Sequence, residues 1–371
     1  MDENNKNPRF LFLVIVLLIT AALGTYFYYL KHKQGQQSET TMALYNRQFA
    51  DAKTDRFSGN YGVAVEKFKA LVAGAPDKET EGLNKIFLAE SLYSRNENDD
   101  IFQAMKIYKS VVNDYKIPPK VRASALNGIA AIIDKNDNSF YKLYFAEPPY
   151  STFLPEAGTE RSRISKAFLS ILKLSDETFP NSYAEYMTAA RYADLAANNS
   201  LDDGITPKEA AETILKYVSD GDSLKEDDSR YADSANLTRY LNRAIAINIG
   251  GKILGKQIEE RESGFKLAME KATPFETSDD QFARTVIMRL HFFYANFLMV
   301  NLDGGRHDEI KWLLKPYDTA ATSSELWAEN TRRNFTGILN QRPGDILIRR
   351  AVELARISPE FRTFVESVGI K

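Results

Sequence analysis

A few short patterns in this 371-residue sequence carry side chains whose type and spacing could do chemistry. Gly250-Gly251-Lys252-Ile253-Leu254-Gly255-Lys256-Gln257 follows the G-x-x-x-x-G-K spacing of a phosphate loop, in which backbone N–H groups surround phosphate oxygens. Gln257 stands where a magnesium-binding Ser or Thr is required, and no parallel-sheet pattern surrounds the segment. Small residues permitting close helix packing are the better reading. Asp134, Asn136 and Asn138 alternate like the first oxygens of a calcium loop, but Ser139 replaces its glycine and Phe145 its bidentate glutamate. Asp220, Asp222, Glu226, Asp227 and Asp228 follow no ligand spacing and read as a solvated loop. None of His32, His291 and His307 has a second histidine at metal-ligand spacing, and His291, inside the apolar run MRLHFFYANFL, reads as a structural side chain.

The chain contains no cysteine, which removes disulfides, thiolate zinc sites, iron–sulfur clusters, a cysteine nucleophile and a lipid-modified cysteine at once. Its 48 basic and 50 acidic residues leave a formal charge of −2, so no overall field favours nucleic acid, and no Lys/Arg-rich stretch supplies a local one. No catalytic residue, cofactor or metal ligand is expected, and no nucleic-acid partner. The most distinctive segment is the insert Ser139 to Glu156, SFYKLYFAEPPYSTFLPE, with six aromatics and three prolines in 18 residues. Aromatic side chains carry interface energy, so Tyr141, Tyr144, Tyr150 and Phe153 are candidate partner-binding residues; the alternative is that the insert folds back over its own domain.

The elements that would position these groups begin with an apolar segment. Phe10 to Leu30, FLFLVIVLLITAALGTYFYYL, has 21 residues without a charge, the length of a transmembrane helix. Residues 1–9 form a short tail ending in Arg9, and Lys31, His32 and Lys33 follow a belt of Tyr26, Phe27, Tyr28 and Tyr29. A cleaved signal with Ala22-Leu23-Gly24 as its small-residue site is the rival reading, but the apolar run continues past it to Tyr29 and its tail carries Asp2 and Glu3. Basic residues are nearly balanced across the span; the expectation is a single-pass cell-membrane protein with its domain outside the cytoplasm. Thr20, Ala21, Gly24 and Thr25 put small residues on one face, which leaves room for a second copy of the span and hence a homo-oligomer.

After a polar linker at 31–41, apolar residues recur at three- and four-residue spacing with almost no alternation, so the body is read as all-α. Over Tyr45 to Asp77, small residues at Ala52 and Ala64 would let two helices approach and Gly59 would turn the chain before Tyr61. Phe68 and Leu71 would fill the groove and Pro76 would stop the second helix. This segment, with GNYGVAVEKFKALVAGAP at its centre, resembles a tetratricopeptide repeat. A second, looser unit runs through Ala89, Leu92, Tyr93, Ala104, Tyr108 and Val111 to Pro118, and a third includes Phe168, Leu172, Tyr186, Ala190 and Ala193. The sequence departs from the family at Gln48, where a tryptophan-like residue is usual, in the long insert before the third unit, and beyond about residue 217.

The expected organisation is therefore a transmembrane helix over 10–30, a repeat region over 42–217 and a C-terminal helical region over 218–371. In the last, amphipathic helices at Tyr231 to Gln257, Phe282 to Leu302 and around Ala351 to Val365 would continue or cap the solenoid. The resemblance implies a membrane-tethered scaffold that binds a protein or peptide, in assembly or maintenance of an envelope or membrane complex. The alternative is an enzyme or solute-binding domain whose site has no local motif.

Overall fold

The computed structural model describes residues 42–135, 160–180, 182–197, 205–218, 232–302, 305–340 and 346–370. Among them the regular structure is helical and no strand occurs. The chain divides into two compact units, Met1–Thr54 and Asp55–Lys371. In the first, the described residues from 42 are helical, and Tyr45, Phe49 and Ala52 are buried at the i, i+4, i+7 spacing of one helix face.

The second unit holds fifteen α-helices among its described residues, besides the helical residues 55–57. These are α1 (Tyr61–Ala73), α2 (Lys78–Arg95), α3 (Asp100–Asn113), α4 (Pro119–Lys135) and α5 (Glu160–Thr178). There follow α6 (Tyr183–Ala197), α7 (Pro207–Val218), α8 (Ala232–Ile253), α9 (Ile258–Ala272) and α10 (Gln281–Asn301). The last are α11 (His307–Leu314), α12 (Tyr317–Thr322), α13 (Leu326–Asn340), α14 (Ile346–Ile357) and α15 (Pro359–Ser367).

Helix boundaries follow local chemistry. Asp77 caps α2 by accepting the Thr80 N–H at 2.7 Å, and Asp280 accepts from Phe282 and Ala283 at the start of α10. Thr206 and Glu209 form a reciprocal capping box before α7, with each side chain accepting the other's backbone N–H. The helix expected around Ala351 to Val365 is two helices, because Ser358 caps Phe361 and Pro359, lacking an N–H, sits at the first position of α15.

Packing follows one rule from α1 to α10. Each helix packs on its neighbour in sequence, and α2, α4, α6, α8 and α10 also stack directly on one another. This contiguous row is an inner layer. No residue of α2 is exposed, whereas α1 carries an exposed stripe of Val63, Glu66, Lys67 and Lys69. Ala64, Val65, Phe68 and Leu71 form the buried face of α1, and Asn84 of α2 donates to the Leu71 carbonyl at 2.9 Å, closing the end of α1. Tyr61 opens α1 half-buried, Gly59 turns the chain before it at φ +82°, and Pro76 is exposed in the turn after it.

The all-α expectation holds, and packed helices of this kind are compatible with a helical-repeat fold. The expected transmembrane element is not supported. Among the described residues no helix is long and apolar enough to cross a membrane; their apolar faces are spent on neighbouring helices. Phe10 to Leu30, the linker 31–41 and the insert Ser139 to Glu156 lie outside the described residues. Residues 119–135, which the sequence reading assigned to no repeat, form α4 in the middle of the inner layer.

The tightness of this layer is testable at two glycines. Any side chain at Gly128 of α4 would run into the ring of Tyr108 from α3, while Gly62 of α1 has nothing within 4 Å of its missing Cβ. Gly128→Ala should therefore destabilise by roughly 1–3 kcal/mol, as overpacking does. Gly62→Ala should be neutral or stabilise by up to about 1 kcal/mol through helix propensity. Urea unfolding of the two variants checks the contrast.

Candidate functional site

The inner layer carries a row of polar groups that links three helices. Tyr93 of α2 donates from its hydroxyl to the Ala131 carbonyl of α4 at 3.2 Å. Arg191 of α6 donates to the Asn127 side-chain oxygen of α4 at 3.0 Å, and its Nε stands 3.7 Å from Asp134. Burial pushes the Tyr93 phenol well up, with Asp134 adding to the shift and Arg191 opposing it, so the three form one electrostatic neighbourhood. Upstream, Arg56 pairs with Glu90 of α2 at 2.8 Å, and its guanidinium lies 5.9 Å from the ring of Phe87, which stacks on Phe68 at 5.5 Å. Phe87, Glu90, Tyr93, Asn127 and Arg191 are all half-buried. They present aromatic area, an amide and both signs of charge along one stack.

A second polar cluster lies further along. Glu262 of α9, with a side chain 4% exposed, accepts from the Tyr294 hydroxyl of α10 at 2.6 Å and pairs with Lys266 at 3.1 Å and with Arg306. Burial by itself would raise this carboxyl, but donation from Tyr294, Arg306 and Lys266 outweighs it and holds Glu262 below its ordinary range. An acid–base catalyst near neutrality needs the opposite shift. Because Arg306 immediately precedes α11, the cluster is a structural staple joining α9, α10 and α11.

The sequence-derived candidates are dispersed. Gly250 and Gly251 lie within α8, where a Cβ would meet Leu215 of α7 at 3.4 Å and Arg261 of α9 at 2.8 Å respectively, so they serve close packing. The run Ala244 to Ile249 before them is helix rather than strand, and Lys256 pairs with Glu260 at 3.3 Å, which leaves no phosphate cradle. His291 is buried beside Trp312, with ring centroids 6.0 Å apart, and burial lowers it to about 4, partly opposed by the Leu313 backbone. It is a neutral core side chain at physiological pH. Asn136, Asn138, the acidic run Asp220 to Asp228 and the aromatic candidates Tyr141, Tyr144, Tyr150 and Phe153 lie outside the described residues. Among the described residues no cluster of three or more His, Asp or Glu could hold a metal.

Sequence reasoning missed Asn127 and Arg191, and it read Tyr93 and Asp134 in other roles. Their partners are 38 and 64 residues apart in the chain, so only the stacking of α2, α4 and α6 brings them together.

The Glu262 staple generates a pH dependence. Its folded pKa lies below the unfolded value of about 4.3, so its contribution is fully present above that pH and is lost as pH falls through the folded pKa. Thermal melts should therefore show stability dropping on acidification below about pH 4, with Glu262→Gln showing a smaller drop. At pH 7 the same substitution should cost roughly 1.5–3 kcal/mol, the usual range for a hydrogen-bonded charge.

Comparison with known protein families, with curated proteins and with solved structures gives no match to this chain.

Proposed function

We propose that this protein is a non-catalytic scaffold of the tetratricopeptide kind that binds an extended segment of a partner protein along its inner helical layer. The observation that supports this reading is the uninterrupted stack α2–α4–α6–α8–α10, whose helices carry the half-buried side chains Phe87, Glu90, Tyr93, Asn127 and Arg191. A helical array of this type offers an elongated surface rather than a closed pocket. Aromatic rings supply apolar anchoring, and side-chain amides and guanidinium groups supply hydrogen bonds that suit a peptide backbone. The family assignment rests on the repeat spacing at Gly59, Tyr61, Ala64, Phe68 and Leu71 together with the pairwise succession of inner and outer helices. An enzymatic reading lacks a comparable support: of the buried carboxylates, Glu262 is held ionised by three donors and Asp100 is paired with Arg95.

The test is selection of binding peptides from a random library against the protein, followed by hydrogen exchange of the complex. Protection should concentrate on α2, α4 and α6. Arg191→Ala and Phe87→Ala should each weaken the selected peptides about tenfold, corresponding to roughly 1.4 kcal/mol of lost contact. Protection confined to the exposed stripes of α1 and α3, with affinity unchanged in both variants, would contradict the proposal.

A further inference from the structure

The second unit also joins its two ends. No helix among α1–α3 packs extensively on any of α10–α15, yet Phe57, just before α1, reaches both α10 and α13. Its ring lies 3.9 Å, centroid to centroid, from Phe282 at the start of α10. Its backbone carbonyl accepts a hydrogen bond from the Arg333 guanidinium of α13, across 276 residues of chain. Gly59, at φ +82°, lets Arg333 approach, since a Cβ there would lie 3.2 Å from its Nη1.

Both sides of the join are braced independently of it. On the near side, Asp55 pairs with Lys67 of α1 at 2.5 Å and accepts from Asn60 at 3.3 Å, while Arg56 pairs with Glu90 of α2. On the far side, α10 is tied to the start of α13 by Arg284 to Glu325, the residue before α13, at 3.0 Å and by the Trp327 N–H to the Gln281 side-chain oxygen at 3.1 Å. The Arg284 guanidinium also lies over the Trp327 ring at 4.3 Å. At Phe57 the two braced bodies thus meet through a ring contact and a solvent-exposed hydrogen bond. In a helical array each helix otherwise depends on its near neighbours, so losing an end-to-end contact leaves every local interface intact.

We propose that the Phe57–Phe282–Arg333 contact is a reversible latch: when it releases, the end at α1–α2 moves away from α10–α13 while the stack between them flexes. Such a contact is a two-state element of the kind that conformational equilibria act through. The latch stands apart from the peptide-binding reading, because it can be measured without any ligand.

The chain has no cysteine, so paired labels can be placed cleanly. Spin labels at Gly62→Cys and Asn334→Cys, both exposed positions on α1 and α13, would report the distance across the join in the full chain. The expected result is a majority short component with a minor long one. Arg333→Ala and Phe57→Ala, made separately, should each raise the long-to-short ratio about tenfold, the effect of one exposed hydrogen bond or one ring contact, while thermal unfolding stays cooperative. A distance distribution unchanged by either variant, or loss of cooperative unfolding in both, would overturn the latch and make the contact part of the static core.

Discussion

The structure depends on helices that must be buried on more than one side at once. Each of α2, α4, α6, α8 and α10 packs on two sequence neighbours as well as on the next member of its own row. Such a helix has little room for large side chains at its crossings. Accordingly Ala89, Ala125, Ala130, Ala189, Ala193, Ala244 and Ala295 are all fully buried, and a Cβ added to Gly264 of α9 would stand only 3.0 Å from the Ala244 Cα of α8. Close approach between backbones is what these small residues supply. Larger side chains then fill the spaces beside the crossings, as Tyr108 does against Gly128 and as Phe68 does between α1 and Phe87.

The layer ends in a different kind of packing. Beyond α10 an aromatic cluster of Phe292, Tyr317, Phe335, Phe361 and Phe364 joins the buried alanines Ala320, Ala328 and Ala351, with edge-on contacts such as Tyr317 to Phe364 at 4.7 Å. Tyr317 is fully buried and satisfies its hydroxyl by donating to the Met288 carbonyl at 2.6 Å. Flat rings fill the space where α13 and its neighbours pack on α10. The Glu262 staple lies beside this region and orders α9, α10 and α11 by charge and hydrogen bonding rather than by volume.

Much of the helical succession was legible because its signals are local. Phe282 to Leu302 was read from periodicity and α10 runs Gln281–Asn301; Tyr231 to Gln257 was read the same way and α8 runs Ala232–Ile253. The repeat-like spacing located the buried positions Ala64, Phe68 and Leu71. What escaped was whatever depends on neighbours distant in sequence. Residues 119–135 matched no repeat spacing, and only the stack makes them an inner helix. Arg191 and Asn127 are ordinary polar residues until α6 is laid on α4. The Pro359 break was missed, although it is a proline inside an amphipathic pattern with its capping serine, Ser358, beside it. The membrane-helix reading rested on the charge-free length of Phe10 to Leu30, its basic flanks and its aromatic belt; that segment lies outside the described residues, and no described helix is long and apolar enough to cross a membrane.

The central claim is that alternate helices form one buried layer, and cysteine scanning tests it most directly in a chain that has no cysteine of its own. Single cysteines along α1, α3, α7 and α9 should each reveal a stripe, including Val63 and Phe102, that reacts with a small maleimide about as fast as an unfolded peptide. Cysteines at Ala89, Ala130, Ala189 and Ala244 on the even-numbered helices should react at least on the order of 10³-fold more slowly, through unfolding alone. Rapid labelling at these alanines, or the same labelling pattern on even and odd helices, would contradict the layered account.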